Sequence, residues 1–182
     1  MERTITNPFV KDKVVFVRTS AESSGAHTEV EVYLAPGGGT PLHYHNNFSE
    51  TFTACKGKLG IQLSKGRKLY LSEGEVITVP PKAIHKFFND TDDEIVFRVV
   101  LNPGSIGFER SLRITYGLAN DGLTNHKSIP KSLYHLAVVA KIGDGNLVGP
   151  LSLITPLINL LYKNAKRKGI ENELVKKYCS AH

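Results

Sequence analysis

The sequence predicts a mostly β fold with a helical C-terminal extension, and three observations support this. Up to Asn102, short runs rich in β-branched residues alternate with turn residues. Beyond Pro103-Gly104 the spacing of apolar residues becomes helical. The excess positive charge sits entirely in that second part, since residues up to Arg110 hold 13 basic and 13 acidic groups and the net charge of the chain is +6. Many short strands at close spacing indicate an antiparallel sandwich or barrel.

The strands follow in order. Lys13–Thr19 and Thr28–Ala35 are β-branched, and the second alternates Val30, Val32 and Leu34 with Glu29, Glu31 and Tyr33. Lys58–Leu63 and Lys68–Leu71 flank Ser64-Lys65-Gly66-Arg67, a hairpin turn by composition. Val76–Val79, Lys86–Phe88 and Glu94–Leu101 complete the set. Helical spacing then marks Phe108–Ala119, Ser132–Ile142, Leu151–Lys168 and Ile170–Tyr178, with Gly169 breaking the last two apart. The expected division is a barrel over residues 1–104 and a helical extension over 105–182.

A chain of 182 residues suits one domain of moderate size. Such a chain buries roughly 70% of its unfolded surface and needs no covalent staples. Two distant cysteines, Cys55 and Cys179, fit reduced thiols in a cytosolic protein rather than a disulfide framework. The first residues, Met1 to Pro8, lack the apolar run of a signal peptide. The greasiest stretch, Leu147 to Tyr162, is interrupted by Gly149, Pro150, Pro156 and Asn159. It falls short of the ~20 clean apolar residues that a membrane span requires.

The chemistry concentrates in two segments. In the first, Gly37 to Gly57, strand alternation turns His43 and His45 to one face and Tyr44 to the other. Glu50, after a short turn, can add a carboxylate oxygen from the neighbouring strand. In the second, Gly74 to Asn89, His85 follows a Pro-rich turn at the start of a new strand and can point inward beside Phe87. Imidazole nitrogens with a carboxylate oxygen suit a divalent transition metal.

With these residues in place, the sequence resembles the cupin superfamily. The first family motif, G-x5-H-x-H-x3/4-E-x6-G, is matched by Gly37, His43, His45, Glu50 and Gly57. The second, G-x5-P-x-G-x2-H-x3-N, is matched by Gly74, Pro80, His85 and Asn89. Lys82 stands where that motif has a glycine, so a strained or reshaped turn is expected before His85. The resemblance covers about residues 10 to 104 and implies an antiparallel double-stranded β-helix, or jelly roll. It also implies one divalent metal (Fe, Mn, Zn, Ni or Cu) held by His43, His45, Glu50 and His85, and often a dioxygenase reaction on a small organic substrate. Glu50 as a catalytic base is a role borrowed from some family members. Isomerisation of a sugar or keto acid, and ligand binding without turnover, are the rival readings.

Other residues have paired readings. Phe52 and Ala54 share the face of Glu50, and Phe87 that of His85, as an apolar wall around the ion or as ordinary core. Phe48 sits in the turn beside the ligands, where it could close over the pocket mouth. Arg98 holds a substrate carboxylate if its face lines the barrel mouth, and otherwise points to solvent or caps a sheet edge. Cys55, opposite in face to Glu50, reads as packing. His27, His126, His135 and His182 have no partner pattern and read as surface or loop residues.

The basic tail, Lys163, Lys166, Arg167 and Lys168, is a solvated helix face or a contact for anionic lipid. Packing against the barrel or a second subunit is favoured, because Ile154, Leu157, Ile158 and Leu161 form a stripe that needs a partner. Membrane-surface contact is therefore not the favoured reading. Aromatic platforms interleaved with the basic residues are missing, which speaks against nucleic acid. The expected partners are a small-molecule ligand and a second copy in a homodimer.

Overall fold

A computed structural model describes residues 2–64 and 66–180, so Lys65 of the anticipated hairpin turn and His182 lie outside the described residues. Eleven strands are present among them: β1 (Thr4–Asn7), β2 (Asp12–Arg18), β3 (Thr28–Leu34), β4 (His43–Tyr44), β5 (Ser49–Lys56), β6 (Leu59–Leu63), β7 (Arg67–Leu71), β8 (Val76–Val79), β9 (His85–Phe88), β10 (Ile95–Asn102) and β11 (Asn146–Leu147). They form two antiparallel sheets, one in the order β1-β2-β3-β10-β5-β8 and the other β11-β4-β9-β6-β7. The burial of β3 alternates residue by residue, as its sequence does, because successive side chains face the core and the solvent in turn. Phe16, Val30, Val32, Leu34, Phe52, Ile61, Phe97 and Leu101 belong to the core of this barrel.

Two strands carry no signal in the sequence. β1 is a four-residue edge strand beside β2, and β11 is a two-residue strand that exists only by pairing with β4. Both are too short for a period to register.

Four helices follow: α1 (Ile106–Asn120), α2 (Leu133–Ile142), α3 (Thr155–Arg167, led in by a 3-10 turn at Gly149–Ile154) and α4 (Ile170–Tyr178). Ser105 and Ser132 cap α1 and α2 by accepting the amides of Phe108 and His135. Helix α1 has two apolar faces. Phe108, Leu112 and Tyr116 pack on the barrel core, while Ile114 and Leu118 join Val138, Ala165 and Leu174 in a second core among the helices. Polar contacts fix its docking. The buried Glu109 carboxylate accepts from the Ser20 amide and the Thr28 hydroxyl, each at 2.6 Å. The Arg113 guanidinium lies 3.9 Å over the ring of Phe16 and donates to the carbonyl of Glu2.

The tail packs against the other helices rather than against the barrel as anticipated, and on a face rotated from the anticipated stripe. Helix α3 turns Ile158, Leu161, Tyr162 and Ala165 inward, the i, i+3, i+4, i+7 set that meets α2 and α4. Leu153, Leu157 and Leu160 are instead 80%, 52% and 53% exposed. Lys163, Lys166, Arg167 and Lys168 are solvated. No helix among the described residues is long and apolar enough to cross a membrane.

Candidate metal centre

Three imidazoles and one carboxylate meet between the two sheets. His43 on β4 is directly paired with His85 on β9, so their rings are neighbours across one ladder. His45 lies just past the end of β4 and still turns toward them, its ring centroid 4.8 Å from that of His43. Glu50, on β5, belongs to the facing sheet and not to a neighbouring strand of the same one. It reaches across the barrel because sheet closure brings the two inner faces together. One donor atom from each of the four lies within 4.8 Å of the others. Ligands about 2.0–2.2 Å from one ion stand up to about 4.4 Å apart, so the spread is close to what a single ion imposes.

The hydrogen bonds of the rings decide which nitrogens face the centre. The Nδ1 of His43 lies 2.8 Å from the Pro41 carbonyl, that of His45 2.9 Å from the Asp144 carbonyl, and that of His85 3.0 Å from the Ala83 carbonyl. A carbonyl cannot donate, so each ring carries its proton on Nδ1 and presents Nε2 inward. The inward atoms are close: His43 Nε2 to His45 Nε2 is 3.1 Å, and Glu50 Oε2 lies 2.7 Å from His85 Nε2 and 3.3 Å from His45 Nε2. Four electron-rich atoms converge here in a buried space, and a divalent transition ion fits that donor set.

Titration behaviour reflects the same crowding. Burial, helped by the charges of His45 and His85, drives His43 down to about 4. Burial would raise the Glu50 carboxyl, but His45 and His85, when protonated on Nε2 as well as Nδ1, donate to it, outweigh burial and hold it below the usual carboxylate range. For His85 burial acts downward, and the hydrogen bond that its protonated form donates to Glu50 reverses the balance and raises it above its ordinary value.

Two backbone features hold the ligands in place. The Lys82 amide donates to the His45 carbonyl at 2.6 Å and ties the two histidine segments together. Lys82 adopts φ +67°, the left-handed conformation that a glycine takes without strain. The anticipated strained turn is therefore present. Gly57 has φ +76°, and a Cβ there would stand 2.8 Å from Ile95. Asn89 closes the second segment by donating to the carbonyls of Leu34 and Asp93 and accepting from Thr91, which is structural work.

A residue that the sequence reading missed anchors the first segment. Asp144 precedes β11 and accepts with its carboxylate from the amides of Asn46 and Asn47 and from the side chains of Asn46, Asn47 and Asn146. Burial would raise its carboxyl, yet these bonds hold it below the usual range. The same residue offers its carbonyl to His45. Nothing in Gly143-Asp144-Gly145-Asn146 suggests more than a turn, because the partners lie about a hundred positions away.

The centre opens on a chamber of about 220 Å³ lined by His43, His45, Glu50, Phe87, Phe108 and Leu112 among others. Phe87 therefore faces this space. Phe48 does not close over its mouth: it is buried and stacks on His45 with a centroid distance of 4.5 Å, because its turn folds it into the core. Phe52 is fully buried behind His85, 6.0 Å away between ring centroids. Arg98 lies on the outer face of β10, exposed, paired with Glu29 and Glu31 across the ladder. Its side chain alternates with the buried Phe97 and Val99, so it cannot reach the chamber. Cys55 is exposed on the outer face and does not pack. A larger cleft of about 450 Å³ lies elsewhere, lined by Arg3, Glu22, Glu109 and Arg113, whose charges already have partners.

The family model of the cupin domain matches residues 30–102, from β3 to the end of β10. No curated protein matches the chain. Similar solved structures include a conserved protein with a double-stranded β-helix domain from Klebsiella pneumoniae, 21% identical, covering 50% of this chain and 75% of that one, with a TM-score of 0.44. KdgF from a Halomonas species is 19% identical, covers 52% of this chain and 81% of its own, and has a TM-score of 0.45. An RmlC-like cupin from Shewanella frigidimarina is 16% identical, with 57% and 86% covered and a TM-score of 0.48.

Two variants test the supports of the centre. Asp144→Ala should weaken binding of a divalent metal by about 10–100-fold in calorimetric titration, with Asp144→Asn in between. Unchanged affinity in both would refute the anchoring role. Lys82→Gly should raise stability by up to about 1 kcal/mol, as relief of left-handed strain exceeds the added freedom of the unfolded chain. A lower urea midpoint would contradict this.

Proposed function

We propose that the chain, whose residues 30–102 match the cupin domain model, is a metal-dependent dioxygenase of the cupin superfamily acting on a small organic substrate. The observation that carries this reading is that three of the four converging donors, His43, His45 and Glu50, stand on the wall of a largely apolar chamber. His43, His45, Glu50 and His85 would hold the ion. When bound, a redox-capable divalent ion supplies Lewis acidity and electron exchange with oxygen.

The protein supplies the remainder. Val14, Val30, Val32, Val99 and Phe87 exclude water and give a carbon skeleton a surface to rest on. Glu50 lines the same chamber and, once loosened from the ion and its histidine neighbours, would take the proton of a substrate enol or hydroxyl. The same apolar lining disfavours a sugar isomerase, whose substrate would need a donor or acceptor for each of many hydroxyls. A cytoplasmic homodimer completes the proposal.

Oxygen uptake tests it. With Fe(II) or Mn(II) added and a panel of small enols supplied, uptake should depend on metal and enol together, and Glu50→Gln should slow it by about 10²-fold or more. Turnover of the same compounds without oxygen would instead indicate an isomerase. Tight binding without turnover would indicate a sensor or carrier. Either result would overturn the dioxygenase reading.

A further inference from the structure

The chamber has a second set of polar residues besides His43, His45 and Glu50. Asp12 on β2 and Tyr116 on α1 line it together with Asn7, Lys127 and Ser128. Most polar groups there are already engaged. The Tyr116 hydroxyl donates to Asp12 Oδ2 at 2.7 Å. The Asn7 side chain donates to Ser128 and accepts from the Phe9 and Val10 amides, and the Thr115 hydroxyl donates to the Ser111 carbonyl. Asp12 Oδ1 is the exception: it is buried and has no hydrogen-bond partner among the described residues. Burial raises the Asp12 carboxyl above its ordinary range, and burial beside Asp12 raises Tyr116 well above its own, which keeps the tyrosine a donor.

A buried acceptor without a partner is destabilising, and a ligand that supplies the missing donor recovers that energy on binding. We propose that Asp12 reads the far end of the substrate: the ligand presents an oxygen to the metal centre, an apolar body to the valines, and a neutral hydroxyl or amide N–H to Asp12 Oδ1. Tyr116 positions the carboxylate by holding its other oxygen. A cationic donor is disfavoured, because Lys127 lines the same chamber. The substrate class is therefore a small, mostly hydrocarbon molecule with oxygen functions at both ends. This rests on the metal reading and adds a specificity residue contributed by a strand that lies outside the matched family domain.

Matched straight-chain carboxylates test it over a range of lengths, each with a terminal methyl, hydroxyl or methoxy group. Binding to the Co(II)-loaded protein is followed by calorimetry and by the visible cobalt bands. At one length the hydroxyl compound should bind at least about tenfold more tightly than the methyl and methoxy compounds, because only the hydroxyl donates. Asp12→Leu should abolish the preference while the cobalt bands persist. Equal affinity for all three groups at every length, as a resident water on Asp12 would give, overturns the proposal without touching the metal reading. A preference that survives in folded Asp12→Leu also overturns it. Absence of cobalt bands in the parent overturns both readings. The methoxy comparison needs no variant, so the test stands even if Asp12→Leu does not fold.

Discussion

The structure depends on one constraint: three histidines are forced to show the same nitrogen to the same point. Backbone carbonyls of Pro41, Ala83 and Asp144 each take an Nδ1 proton, so the lone pairs of Nε2 converge with the Glu50 carboxylate. Without a cation, the 3.1 Å approach of two bare nitrogens is repulsive. Protons relieve such crowding only in part, as the opposite displacements of His43 and His85 show. A divalent ion would relieve it, and the barrel holds the four groups where one could sit.

The support for that arrangement comes from both ends of the chain. Two sheets must face each other for Glu50 to meet the histidines, which makes the core of Phe52, Phe97 and Leu101 part of the geometry of the site. From the helical half, β11 pairs with β4 and Asp144 grips Asn46 and Asn47, so the strand that carries His43 is flanked by later chain. Helix α1 walls the chamber with Phe108, Leu112 and Tyr116, and its buried Glu109 holds that wall against the barrel. Apart from the buried Arg113 and from Lys127 at the chamber, the excess positive charge lies mainly on solvated faces of the tail, away from this chemistry.

The convergence of the four donors was legible because its information is local. His43 and His45 are two residues apart, Glu50 follows one turn later, and strand alternation with motif spacing gives the rest. The strain at Lys82 was legible for the same reason: a turn that requires left-handed backbone imposes it on whichever residue occupies the position. Asp12, Asp144 and Tyr116 were not legible, since each acts through a partner distant in sequence and none sits in a pattern. Arg98 shows a different limit. Its strand was read correctly, but which face of that strand is inward depends on register with β3 and β5, and the pairing sends it to Glu29 and Glu31 outside. Phe48 likewise lies in a turn, where no period fixes direction.

The most direct test of the convergent donor set is the metal content of the purified protein beside that of a His43→Ala/His45→Ala double variant, measured by elemental analysis. About one divalent transition ion per chain is expected in the parent and none above background in the folded variant. Equal metal in both, or none in a parent offered metal in excess, would contradict this.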